Sequence, residues 1–155
     1  MSDRYSGHGS AATGTNKTIL TAFCASATPK VRPRLYELLL GSVATPADVA
    51  ALFYLSRFTA VGTEGSGFTP IPLDPGAPAA GECDCGVGVF SVEPTYTASK
   101  ELLAIPMNQR ATFRWIAAPG GELVLPATQN NGVGLKSSSM SSGTPAFDVT
   151  MHWME

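Results

Sequence analysis

Phe147-Asp148-Val149-Thr150-Met151-His152-Trp153-Met154 alternates apolar and polar side chains almost without a break. Successive side chains of an extended backbone point to opposite faces. Phe147, Val149, Met151 and Trp153 therefore share one face, and Asp148, Thr150, His152 and Met154 share the other. The stretch predicts a strand with one buried face. Ala111 to Ala117 repeats the pattern, with Ala111, Phe113, Trp115 and Ala117 alternating with Thr112, Arg114 and Ile116 before Pro119-Gly120-Gly121 stops it.

Thr18 to Ala25 reads as a first strand, with Ile19, Phe23 and Ala25 on one side. Arg34 to Leu40 suits either a strand or two helical turns, and Gly41-Ser42 ends it early for a helix. Thr45-Pro46-Ala47-Asp48 has the composition of a helix start. The following Leu52 to Val61 fits one amphipathic helix or a strand after a turn, and its aromatic content favours turn then strand. Gly62 to Cys85 is rich in Gly and Pro and reads as a long loop with an edge strand at Phe68 to Leu73. Short strands are expected at Val87 to Val92, Leu102 to Ile105, Leu123 to Leu125 and Gly132 to Lys136, the last followed by a Ser-rich loop.

The chain has 155 residues, with 16 glycines and 12 prolines spread along its length. Few windows are left for a long helix. About eight short strands joined by turns point to an all-β, two-sheet β-sandwich, jelly-roll-like rather than immunoglobulin-like, since no Cys, Trp, Cys spacing is present. The expected organisation is a polar N-terminal arm over 1–17 and a β-sandwich domain over 18–155. The arm, rich in Gly, Ser, Ala and Thr, shows no apolar period and is expected to lie outside the fold. Arg4, Tyr5 and His8 are its candidate partner-binding residues.

Charged residues are 14% of the chain and the net charge is −2. A largely neutral exterior suits a protein that packs against neighbours. No run of Lys or Arg forms a track for phosphates, so nucleic acid is not an expected partner. No stretch has the length and apolarity of a membrane span, and no N-terminal apolar segment suggests export, so a soluble product without a membrane partner is expected.

Chemistry is sparse. The two histidines, His8 and His152, have no orienting carboxylate that spacing alone can assign. No nucleophile elbow or phosphate-binding loop is present, and no catalytic residue is assigned. Glu82-Cys83-Asp84-Cys85 offers two thiols, but a tetrahedral zinc site needs two more ligands, and Cys24, His8 or His152 would have to come from afar. Ordinary reduced thiols in a reducing cytoplasm are the expectation, with no metal and no cofactor. A disulfide from Cys24 to one of the pair would need an oxidising medium. Trp115 and Trp153 sit on apolar faces and read as core rather than as a sugar-binding platform.

Four segments carry a family resemblance: Arg34 to Ser42 (RLYELLLGS), Arg57 to Asp74 (RFTAVGTEGSGFTPIPLD), Phe113 to Ala127 (FRWIAAPGGELVLPA) and Gly132 to Leu135 (GVGL). In their order they resemble the decoration, or cement, proteins of tailed-bacteriophage heads. The resemblance implies a jelly-roll domain, commonly a homotrimer, that binds the major capsid protein on the outside of the shell and stiffens it. It implies synthesis in the host cytoplasm and a final place on the virion exterior, with no cofactor. The alternatives are another virion module, such as a fibre-head or minor capsid protein, or a carbohydrate-binding β-sandwich. The polar arm and the Cys-Asp-Cys cluster depart from the family pattern.

Overall fold

The computed structural model describes residues 2–155, and among them the regular structure is strand alone. In chain order the strands are β1 Arg4–Ala12, β2 Thr18–Cys24, β3 Arg34–Ala44, β4 Ala50–Phe58, β5 Ser66–Phe68 and β6 Ile71–Pro72. They continue as β7 Cys83–Val87, β8 Tyr96–Asn108, β9 Thr112–Ile116, β10 Leu123–Val124, β11 Gly132–Met140 and β12 Ala146–Met154. All pairings are antiparallel.

One sheet runs β10-β3-β12-β1-β6, with β9 also on β3, and the other runs β5-β7-β2-β11-β4-β8. With β5, β6, β7 and β10 set aside, the strands that wind the fold pair as β1 with β12, β2 with β11, β3 with β9 and β4 with β8. Each strand of the first half thus meets its counterpart counted back from the end, as in a long hairpin rolled around a core. This is the jelly-roll winding. The insertion between β4 and β8 covers edges that the roll would leave open: β6 pairs with β1, while β7 and β5 extend the second sheet beyond β2. Unpaired edges invite association with other chains, so this insertion limits where such contacts can form.

The facing sides of the two sheets make one core. Leu35, Leu38, Phe147, Val149, Met151 and Trp153 come from the first sheet, and Leu20, Phe53, Leu55, Val133 and Leu135 from the second, all with no exposed surface. Phe53 and Phe147 meet edge to face across the interior, with centroids 4.8 Å apart. Each such side chain contributes about 1.5 to 3 kcal/mol when fully buried. The alternation of the last strand is as its sequence predicts.

Several expectations are corrected. Residues 4–12 are a strand inside the first sheet, paired with β12 over its whole length, so the segment is part of the fold rather than an external arm. Its inward positions are Tyr5, Gly7, Gly9 and Ala11. The period of two is present, but two of its buried positions have no side chain for a hydropathy pattern to detect. Thr45 starts no helix: its φ of 48° and the extended chain from Ala50 make the segment a turn before β4. Cys83 to Val87, not Val87 to Val92, forms the strand, and the serines after Lys136 continue β11. The strand at Leu102 to Ile105 is the middle of the much longer β8.

Candidate functional site

The outward side of the first sheet gathers the ionisable chemistry. Strand register sets Glu37 beside His152 and beside Ile116, and sets Thr150 between Leu39 and His8. His152 Nδ1 lies 2.8 Å from Glu37 Oε2, and Arg114 Nε donates to Glu37 Oε1 at 2.6 Å. The carboxylate is largely buried under these partners. The hydrogen bond to His152 is the main cause that holds its pKa below the usual carboxylate range, with Arg114 adding to it against the cost of burial. A second imidazole repeats the motif in a wetter setting: His8 Nε2 is 3.0 Å from Asp148 Oδ1 and more than half exposed.

Both histidines therefore have a carboxylate partner. Sequence spacing could not show this, because Glu37 and His152 are brought together only by the β3 and β12 pairing. The one sequence signal was a charge inside the apolar run Arg34 to Leu40. Neither imidazole is hydrogen-bonded to a hydroxyl or thiol among the described residues. The arrangement ties three strands together across an exposed sheet face. The bonded ring nitrogen and the carboxylate supply orientation, the first half of a proton relay.

The three expected partner-binding residues separate. Arg4 is exposed, His8 is engaged with Asp148, and Tyr5 is buried at 2% exposure with its ring stacked on Trp153 at 6.4 Å. Tyr5 is a core residue and is not free to anchor the chain on a neighbour. Its hydroxyl donates to the Pro78 carbonyl, fastening the inserted loop.

The cysteines are free and buried. Cys24 faces Cys83 across the β2 and β7 pairing, and Cys85 faces Ala22. Burial pushes all three thiols up, Cys85 to about 12. Thiolate is the form that binds metal or attacks disulfides, and burial disfavours that form at all three positions. Among the described residues no group of three His, Cys, Asp or Glu side chains is placed to hold a metal ion.

Compared with known proteins, the chain matches no family model, no curated protein and no solved structure.

Depressions elsewhere combine polar and apolar lining. A depression of about 460 Å³ lies over Leu39 to Val43, Phe113 and Arg114 on the same outward sheet face. A larger cleft of about 550 Å³ lies at the other end of β3, between Val31 to Arg34, β10 and the end of β12. It is the stronger binding geometry, because two arginines line it.

Proposed function

We propose that this chain is a structural protein of a tailed-phage virion, a decoration or cement protein that binds the outer surface of the capsid and associates with copies of itself as a trimer. The observation that supports this best is the exterior of the jelly roll. Val43, Ile71, Val89, Val92 and Ile116 are each more than half exposed, in separate strands and loops, on a chain with only 14% charged residues. Branched apolar side chains in water gain by being covered, and their distribution suits contacts on more than one side. A cement protein needs that, since it meets both the shell and its own copies.

The segments that carry the resemblance occupy β3, the run from the end of β4 through β6, β9 with β10, and the start of β11. They are framework rather than site, which fits a protein whose work is surface complementarity. Trp153 has no exposed surface and Trp115 packs against the core, so the aromatic platform needed for a sugar-binding β-sandwich is missing at these two residues.

Light scattering of the purified chain, alone and mixed with empty shells of a tailed-phage capsid protein, tests the reading. A trimer that adds mass to the shells supports it. A monomer at micromolar concentration that leaves the shells unchanged overturns it.

A further inference from the structure

The cleft beside the start of β3 has a charge pattern unlike the rest of the surface. Arg32 and Arg34 line it, over an apolar floor of Val31, Val124 and Met154. Register extends the pattern: Met154 pairs with Arg34 on one side and with Arg4 on the other. Both arginines are exposed, as is Arg32. Arg32 Nε donates to the Leu125 carbonyl at 3.0 Å, which fixes one edge of its guanidinium and leaves the terminal nitrogens without a hydrogen-bond partner among the described residues. From the second sheet, Arg57 Nη1 donates to the Val124 carbonyl at 3.2 Å and steadies the β10 wall.

None of Arg4, Arg32 and Arg34 stands within ion-pair distance of a carboxylate among the described residues. The carboxylate that lines the cleft, on Glu155, is turned to the backbone N–H groups of Gly81, Glu82 and Cys83. In a chain with ten basic residues and a net charge of −2, three guanidinium groups without a carboxylate partner among the described residues, two lining this cleft and the third across Met154 from Arg34, are a local positive concentration.

We propose that this cleft binds an extended acidic segment of a partner polypeptide, with carboxylates set beside an aliphatic side chain. Planar guanidinium groups take carboxylates through paired hydrogen bonds, and a group already held at one edge loses less freedom on binding. The Val31, Val124 and Met154 floor accepts the aliphatic neighbour. A volume of about 550 Å³ accommodates a few residues. Nucleic acid is the poorer match, because the lining has no aromatic ring for a base to stack on and the whole chain is negative. The inference concerns the chemistry of the cleft and holds whether or not the partner is a capsid.

Fluorescence anisotropy with the full chain and a labelled peptide of alternating Asp and Leu tests it. The expected result is saturable binding that the matching Asn and Leu peptide does not reproduce. Arg34→Glu is expected to weaken it by about tenfold or more, and Arg34→Lys by less, since lysine keeps the charge but not the fork. Arg110→Glu serves as the control, because Arg110 precedes β9 at the end of β3 opposite to the cleft. Arg32→Gln gives a second lining variant, and the melting temperature of each variant shows whether it is folded. Equal binding of the Asn peptide, wild-type affinity in folded Arg34→Glu, or tighter binding of single-stranded DNA at the same cleft would overturn the proposal.

Discussion

Trp153 occupies the space that a side chain at Gly7 would need. A Cβ on Gly7 would stand 2.9 Å from the indole ring and equally close to Cys85 Sγ. The largest core residue is thus accommodated by the absence of a side chain on the paired strand. Gly7→Val is expected to destabilise the chain by about 1 to 3 kcal/mol through overpacking. Trp153→Ala, which leaves a void between the sheets, is expected to cost about 3 to 5 kcal/mol. Urea denaturation curves measure both, and a loss under about 1 kcal/mol for Trp153→Ala would contradict its burial.

Removing residues 2–17 takes away a strand that separates β12 from β6 and that covers part of the core with Tyr5 and Ala11. A chain starting at Thr18 is expected to lose its cooperative thermal transition. Near-ultraviolet circular dichroism through a melt would check this, and a truncated chain that melts like the whole one would show that β1 is dispensable.

Two carboxylates give opposite pH dependences. The folded pKa of Glu37 is lowered, so its contribution to stability is present above the unfolded carboxylate pKa and is lost as pH falls through the folded value. Glu37→Gln should therefore be less stable than the parent near pH 7, with the gap closing below about pH 4. The folded pKa of Glu155 is raised, chiefly by desolvation, so its contribution is present at low pH and is lost as pH rises through the folded value. Glu155→Gln should lose that dependence. Chemical denaturation across a pH series reads both signs, and a gap for Glu37→Gln that widens in acid would refute the first.

Cys24 sends its N–H to Asn131 and receives the N–H of Asn130, so its backbone hydrogen bonds point away from Cys83. The two cysteines form the narrow kind of antiparallel pair, a class whose Cα atoms stand about 4.5 Å apart in general, inside the range that a disulfide spans. In denaturant with an oxidised small-molecule disulfide, followed by refolding, the two thiols should give up their hydrogens to form one Cys24 to Cys83 bond and two small thiols. Peptide mapping by mass spectrometry should find that bond in preference to Cys24 with Cys85. The reverse preference would count against the β2 and β7 register.

The sequence made the strands legible wherever large apolar residues alternate with polar ones. Phe147 to Trp153 and Phe113 to Trp115 were readable for that reason, and the Gly and Pro spacing ruled out long helices. β1 was not readable, because Gly7 and Gly9 fill its buried positions and register as polar turn residues. The Glu37, His152 and Arg114 cluster was not readable for a different reason. Its members lie on three strands, and only pairing brings 37, 114 and 152 together. The arginine cleft was hidden in the same way, since Arg4 and Arg34 are neighbours only through Met154.

The place of β12, between β1 and β3, bears on how the protein emerges from the ribosome. Until residues 146–154 have been synthesised, β1 and β3 have nothing to hold them in one sheet. Nascent chains ending earlier would expose Leu35, Leu38 and Tyr5 to water, and pairing of β1 with β12 must wait until residues 146–154 are made. Formation of this sheet is then slow for its size, as expected where strands distant in sequence must meet first.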